Sequence, residues 1–290
     1  MPRKQPVIYE INTWVWLADL SKEAGRAMTL ANVPRSVWDE LAALHIDYIW
    51  FMGVWQRSPA SVKIARKHAG LQGELAKALP DLTEKDIVGS AYAIKDYVVA
   101  EHLGGDAGMG DARAELRSRG ISLLLDYVPN HVAMDHPWVT QKQDCLVNGQ
   151  HAGGATPSGF FLAGDCSIAH GRDPYFPPWT DTAQLNAFSP SQRAEACELL
   201  GKLATMCDGV RCDMAMLLLN DVFQNTWGDT VGDAPEEEFW TVVIAAARAV
   251  EPGFKFQREL QSPGLKVLAA PFLQNINICS CYSNYHERGY

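Results

Sequence analysis

The 290-residue sequence lacks an uninterrupted apolar run of about 18 residues, the length that a membrane-spanning helix needs. Its start, "MPRKQPVIYEINTW", has neither the apolar stretch nor the small-residue cleavage site of a secretory signal peptide. No Lys/Arg cluster alternates with aromatic residues, and the net charge is −9. Seven scattered cysteines do not form a disulfide framework. These absences predict a cytoplasmic protein that binds neither a membrane nor nucleic acid.

Apolar, β-branched segments alternate with helix-like stretches along the chain. Three of the apolar segments are "PVIYEINTWVWL", "IDYIWFMGVW" and "GISLLLDYVPNH". Two further units are "AEACELLGKLATMCDGVRCDMAMLLL" and "EEEFWTVVIAAARAVEPGFKFQREL". Alternation of this kind predicts βα units around a parallel sheet, that is, an α/β fold.

Residues 132–190 interrupt this alternation with a Gly-, Pro- and aromatic-rich stretch. A loop of this length inside a compact domain is usually functional or forms a small subdomain. After residue 260 the pattern fails again, with neither a clear helix nor a strand. The predicted parts are therefore 1–131 and 191–260 as the β/α body, 132–190 as an insert and 261–290 as an atypical tail.

Polar residues follow three of the predicted strands. Asp126 comes after "ISLLL", Arg211 and Asp213 end the fourth unit, and Glu259 follows "FKF". In a parallel β/α barrel the carboxyl ends of the strands face the active site. Carboxylates from two strands suit glycoside cleavage, in which one is the nucleophile and the other the acid/base.

Arg211 and Asp213 allow two interpretations. A cation beside a carboxylate favours its ionised form, so Arg211 would hold Asp213 charged and oriented for attack. Alternatively the two residues form a structural ion pair, because buried charges are usually paired whatever their purpose.

Three short motifs resemble those of glycoside hydrolase family 13, the α-amylase family: "DYVPNH" at 126–131, "GVRCD" at 209–213 and "FKFQRE" ending at Glu259. The stretches "WFMGVWQRSP", "GSAYAIKDY" and "GRDPYFPPWTDTAQLN" also look like this family. The resemblance covers roughly residues 6–260 and implies a (β/α)8 TIM-type barrel with a small subdomain after strand 3. It also implies cleavage of α-glucosidic bonds with retention, by double displacement.

The resemblance assigns catalytic roles residue by residue. It makes Asp213 the nucleophile, Glu259 the general acid/base and Arg211 the contact to the nucleophile. The implied substrate is an α-glucan or a malto-oligosaccharide-like chain. Hydrolysis and glucosyl transfer use the same two carboxylates, so a glucosyltransferase stays open.

The resemblance also assigns binding roles. Tyr92 would stack on the sugar ring, and His131 would hydrogen-bond it. Asp126 would support the residues that touch the sugar without touching it itself. Asn130 matches the calcium ligand of many members. No cofactor is required, and a bound Ca²⁺ is possible.

The sequence also departs from the family pattern. The second motif normally ends in His, and Leu217 stands there; the third has Arg258 before its glutamate. The His-Asp motif that supplies a third carboxylate is not found in the 290 residues, and about five of the eight βα units of such a barrel can be traced. We therefore expect a chain truncated or frame-shifted near residue 257 and inactive by itself. The alternative is a non-catalytic glycan-binding or interaction module, or a non-functional remnant.

Overall fold

The computed structural model describes residues 6–150 and 156–258. The strands in these residues are β1 Ile8–Asn12, β2 Tyr48–Met52, β3 Trp55–Arg57, β4 Ile94–Val99, β5 Ser122–Tyr127, β6 His131–Ala133, β7 Asn148–Gln150, β8 Phe160–Ala163, β9 Cys166–Ala169, β10 Thr182–Gln184, β11 Gly209–Cys212 and β12 Lys255–Arg258. The α-helices are α1 Thr13–Ala24, α2 Arg35–Ala43, α3 Pro59–Lys67, α4 Ala69–Ala78, α5 Gly105–Ser118, α6 Trp138–Gln141, α7 Pro190–Met206, α8 Asn220–Trp227 and α9 Phe239–Val250.

A parallel sheet of five strands forms the centre of the fold, in the order β1-β2-β5-β11-β12. Sheet neighbours are also successive parallel strands along the chain, as in a β/α barrel. The predicted α/β architecture with a TIM-barrel type of sheet is confirmed, with five parallel strands of such a sheet in the described residues. Glu259 and the predicted tail at 261–290 lie outside them.

The two faces of the sheet have different surroundings. Leu123, Leu125 and Tyr127 of β5 belong to the main apolar core, which the helices cover. Leu124 and Asp126 lie on the other side, because successive residues of a strand point to opposite faces. We call this second side the inner face.

Gly209 lets two inner-face strands approach closely. A Cβ at this position would lie 2.5 Å from the backbone oxygen of Lys255 and 2.9 Å from Leu124 Cδ2. Both distances are too short for any real side chain, so the start of β11 requires glycine.

The insert between β5 and α7 contains short antiparallel strands. β6 pairs with β10, and β7, β9 and β8 form a separate sheet. The insert has its own buried apolar cluster, made of Val132, Val139, Leu146, Ile168, Ala183 and Leu185. Strands of three or four residues are too short to show a period of two, which is why the sequence pattern does not reveal them.

Two hydrogen bonds attach the insert to α3 and to the residue that precedes this helix. Ser58 Oγ donates to Asp135 Oδ1 at 2.6 Å, and Ser61 Oγ donates to Asp181 Oδ2 at 2.5 Å. Within the described ranges, none of the helices combines the length and the apolar character needed to cross a membrane.

Candidate active site

Asp126 is the buried centre of the candidate site, at 1% exposure near the carboxyl end of β5. Its Oδ1 accepts a hydrogen bond from Trp50 Nε1 at 3.1 Å, and its Oδ2 accepts one from the Gly53 backbone N–H at 3.0 Å. Its backbone oxygen accepts from Trp55 Nε1 at 2.8 Å. Gly53 adopts a φ of +77°, which glycine tolerates without strain. Donors from the middle of β2, from the residue after it and from the start of β3 therefore hold Asp126 in one position.

Arg211 lies between two carboxylates on the inner face. Its Nη1 is 2.6 Å from Asp213 Oδ1 and 3.8 Å from Asp126 Oδ1. Its guanidinium carbon lies 4.9 Å from the ring centre of Trp50 and 5.2 Å from that of Tyr92. The predicted contact between Arg211 and Asp213 is present, and it extends to Asp126.

Asp213 lies directly after β11, and its backbone N–H donates to the oxygen of Tyr127 at 2.9 Å. The following residue, Met214, has a φ of 50°, in the left-handed region. A non-glycine residue in this region costs of order 1 kcal/mol. This turn ends the strand immediately after the carboxylate and redirects the chain into a short 3-10 helix, Ala215–Leu218.

Burial dominates the titration of Asp126. It raises the pKa of this carboxyl to about 7, against the opposing effects of Arg211 and of the N–H donors from Gly53 and Trp50. The charge of Asp213 adds to the rise. Asp126 thus changes charge near neutral pH in direct reach of the arginine that also holds Asp213.

His131 and Tyr92 adjoin this cluster. His131 is 5% exposed, and burial lowers its pKa to about 4, against Asp181 and a backbone hydrogen bond to Tyr92. Its ring lies 5.1 Å from the ring of Trp179 in the insert. His131 is therefore a neutral imidazole at neutral pH, and Tyr92 contacts both it and Arg211.

Asn130 is engaged with the insert. Its Nδ2 donates to Gln184 Oε1 at 3.3 Å, and Gln184 Nε2 donates back to Asn130 Oδ1 at 3.0 Å. No group of three or more His, Cys, Asp or Glu side chains that could hold a metal ion occurs in the described residues. Asn130 is thus held by the insert, and its role as a calcium ligand stays a prediction.

The structure thus brings together six of the predicted site residues, on or beside the inner face: Tyr92, Asp126, Asn130, His131, Arg211 and Asp213. Glu259 lies outside the described residues. Leu217, which stands where the family motif has His, is 6% exposed and belongs to the main apolar core.

The sequence reasoning missed the residues that position Asp126. Trp50 lies on the same inner face as Asp126, but the pattern of "IDYIWFMGVW" predicts only a buried strand. The available signal is the alternation of the strand, which puts Trp50 on the face opposite to Ile49 and Phe51. Gly171 was also missed: a Cβ there would lie 2.9 Å from His131 Cβ, so glycine lets the insert pack against this histidine.

The site combines an oriented carboxylate, a fixed arginine, a neutral imidazole and an aromatic ring. The carboxylate of Asp213 can act as a nucleophile or stabilise a developing positive charge. The imidazole can hydrogen-bond a hydroxyl group without carrying charge, and the ring of Tyr92 offers an apolar face.

No family model matches the chain, and no curated protein matches it in sequence. Solved structures do match its fold. An α-amylase from Lactobacillus plantarum is 18% identical, with a TM-score of 0.54 over 88% of this chain and 45% of its own. A trehalose-6-phosphate hydrolase from Bacillus licheniformis is 19% identical, with a TM-score of 0.57 over 89% and 45%. A debranching enzyme from Nostoc punctiforme is 15% identical, with a TM-score of 0.55 over 96% and 52%.

These matches confirm the resemblance to the α-amylase family at the level of the fold. The chain has the architecture of the first part of an α-amylase-type β/α barrel. It spans about half the length of the solved proteins that it matches. Another of them, an α-amylase from Geobacillus thermoleovorans with a TM-score of 0.52 and 18% identity, is a complex with acarbose.

Proposed function

We propose that this chain carries the nucleophile and the acid/base of a retaining glycoside hydrolase that cleaves α-glucosidic bonds in an α-glucan or malto-oligosaccharide. The observation that carries the proposal is the contact of Arg211 Nη1 with Asp213 Oδ1 at 2.6 Å, directly after an inner-face strand. Fixing a carboxylate by a buried arginine orients it in advance, which a nucleophile requires.

In the first step Asp213 attacks the anomeric carbon of the bound sugar and forms a glycosyl ester. The bond to the leaving oxygen breaks at the same time, and a general acid protonates that oxygen. We assign the acid to Glu259. Gln257 pairs with Arg211 in the parallel register, and Glu259 follows Gln257 by two residues as Asp213 follows Arg211.

In the second step Glu259 acts as a base on water, which releases the sugar from Asp213 with overall retention. If a sugar hydroxyl replaces water, the same carboxylates perform glucosyl transfer. Tyr92 stacks on the sugar ring next to the guanidinium of Arg211, and neutral His131 hydrogen-bonds a hydroxyl of that sugar. Asp126 does not touch the sugar. It helps to hold Arg211, whose Nη1 lies 3.8 Å from Asp126 Oδ1.

Calcium has no part in this proposal. Asn130 Oδ1 accepts from Gln184 Nε2 at 3.0 Å and keeps a second lone pair, so a calcium ion at Asn130 is compatible with this bond, but no step of the mechanism needs one. All steps are assigned to side chains of this chain.

A covalent trap tests the nucleophile. An α-glucosyl fluoride needs little acid assistance, because fluoride leaves readily, and a second ring fluorine slows hydrolysis of the glycosyl-enzyme. The trap needs one attack by Asp213 and no turnover, so it tests the nucleophile even in a chain that does not release product. We expect mass spectrometry of the full chain to find one added fluoroglucosyl group on the peptide that contains Asp213. The label should be lost in Asp213→Asn and kept in Asp221→Asn, which changes an exposed aspartate at the start of α8.

A non-catalytic glycan-binding module is the second candidate. The observation in its favour is Leu217, a core leucine in the position of the family's motif histidine. Saturable binding of maltotriose with no label on Asp213 would favour this module. Labelling of another residue, or of Asp213→Asn as strongly as the parent, would contradict the proposed nucleophile.

A further inference from the structure

Arg57, the last residue of β3, is a half-buried cation beside the candidate active site. Its Nη1 donates to the backbone oxygen of Gly89 at 3.2 Å. Its Nη2 would lie 3.0 Å from a Cβ on Gly53, the residue whose backbone N–H holds Asp126. Arg57 therefore connects the end of β2 with the segment that leads to Tyr92.

Arg57 forms no ion pair with a carboxylate in the described part of the chain, although the sequence has 34 acidic residues against 25 Lys and Arg. Burial lowers the pKa of Arg57 to about 10, against opposing effects of Tyr92 and Asp126. A desolvated charge without a partner in direct contact is unfavourable. A bound anion would relieve this cost.

The charges of the neighbouring cluster do not compensate Arg57. Arg211 is neutralised by Asp213 at 2.6 Å. Burial raises the pKa of Asp126 to about 7, so this carboxyl is only partly ionised at neutral pH. His131 is uncharged there, because burial lowers its pKa to about 4. With Arg57 included, these five side chains carry more positive than negative charge.

Two groups of this region can reach a ligand. Arg57 Nη2 forms no hydrogen bond within the described residues, and unlike the buried Nε it is accessible to solvent. The guanidinium lies 4.2 Å from the ring centre of Trp14, and the exposed ring of His102 lies 4.1 Å from the same ring. Neither ring nitrogen of His102 is hydrogen-bonded to another described residue. Trp14 thus holds two nitrogen donors close to each other.

These donors lie at the edge of the sheet that carries the candidate active site. Trp14 follows β1 as Asp213 follows β11, and the carboxyl ends of parallel strands form one edge. His102 lies in the 3-10 helix Glu101–Leu103, after β4. Tyr92 is near enough to Arg57 to affect its pKa. An anion held by Arg57 is therefore adjacent to a sugar on Tyr92.

We propose that Arg57 and His102 bind the phosphate group of a phosphorylated sugar whose ring lies on Tyr92. A guanidinium fork matches two phosphate oxygens, and a phosphate offers more negative charge to the desolvated cation than a carboxylate does. The anomeric carbon must face Asp213, so another carbon of the sugar carries the phosphate. The sugar part of this inference rests on the proposed function, whereas the anion site does not.

Calorimetric titration of the full chain with D-glucose 6-phosphate, D-glucose and inorganic phosphate tests the inference. We expect saturable binding of glucose 6-phosphate, about tenfold or more tighter than that of the other two probes. Arg57→Gln should weaken it about tenfold or more, because a charge-assisted contact is lost. Arg66→Gln is the matched control and should bind like the parent. Arg66 also donates to a backbone oxygen, that of Glu84 at 2.8 Å, but it is exposed on α3.

Two further variants keep the test decisive if Arg57→Gln does not fold. His102→Gln changes an exposed side chain, so it should weaken glucose 6-phosphate binding while leaving the urea unfolding midpoint unchanged. Arg57→Lys keeps a charge without the fork, so its affinity should lie between those of the parent and of Arg57→Gln. Parent-like affinity in His102→Gln would remove this residue from the site and overturn the inference.

Equal binding in Arg57→Gln and Arg66→Gln would also overturn it, as would glucose or inorganic phosphate binding as tightly as glucose 6-phosphate. The proposed hydrolase is tested separately by the covalent trap. Binding of glucose 6-phosphate without a label on Asp213 would refute the hydrolase and keep the anion site. A label on Asp213 without such binding would overturn the present inference alone.

Discussion

Replacing Arg211 by Met removes the positive charge that stands between two buried carboxylates. Asp213 and Asp126 are 6% and 1% exposed, so neither can be hydrated once the guanidinium is lost. The variant keeps the apolar stem that packs near Trp50. We expect it to lose a large part of the stability of the chain.

The magnitude follows from the distances. At an effective dielectric constant of about 20, unit charges 3.8 Å apart attract by about 4 kcal/mol, and the contact with Asp213 at 2.6 Å attracts more. Loss of the desolvated guanidinium offsets much of this, and breaking a buried pair typically costs about 3–5 kcal/mol. We therefore expect Arg211→Met to lower the free energy of unfolding by about 3–5 kcal/mol at pH 7.

Arg119→Met is a matched control. Arg119 also contacts two carboxylates, Asp39 at 2.7 Å and Glu115 at 2.6 Å, but their side chains are 68% and 30% exposed. Exposed pairs contribute about 0–1 kcal/mol, because water and salt screen them. The Arg119 side chain is itself 13% exposed, but water reaches both of its carboxylates, so the control should lose less stability than Arg211→Met does.

Urea unfolding followed by tryptophan fluorescence measures both variants, with the parent at the same pH. The deficit of Arg211→Met should be smaller at pH 5 than at pH 8. Arg211 lowers the pKa of Asp126, so without the arginine this carboxyl takes up a proton more readily and no longer leaves a buried charge. Equal losses in the two arginine variants, or a deficit independent of pH, would refute the reasoning.

Two further predictions concern the inner face. Gly209→Ala should destabilise the chain by about 1–3 kcal/mol in the same urea assay, because its Cβ would meet a backbone oxygen of β12 at 2.5 Å. Its control is Gly110→Ala in helix α5, where open space surrounds the new Cβ. This control should be neutral or stabilising. Burial raises the pKa of Asp126 to about 7 from a value near 4 in the unfolded chain. Between pH 4 and pH 7, roughly, the folded state therefore holds more protons than the unfolded state. The free energy of unfolding falls by up to about 4 kcal/mol as the pH rises through this range. Asp126→Asn should remove this fall while the exposed control Asp81→Asn keeps it, and an unchanged pH profile in Asp126→Asn would count against the raised pKa.

The sequence by itself determined the order of the βα units and the positions of the site residues along them. Parallel strands covered on both faces appear as nearly continuous apolar runs, and "ISLLL" before Asp126 is such a run. Polar residues that follow such runs stand out because the carboxyl ends of the strands form one edge. For this reason the partnership of Arg211 and Asp213 could be predicted from the residue pattern alone.

Only the tertiary structure decided how Asp126 is held and how the insert packs against His131. Trp50 is 76 residues away from the carboxylate it contacts, and nothing local in "IWFM" predicts that bond. The contact between the rings of His131 and Trp179 depends on how the insert packs against the end of β5. Local sequence patterns report periodicity and chain direction, whereas side-chain contacts between distant segments depend on how complete elements pack against each other.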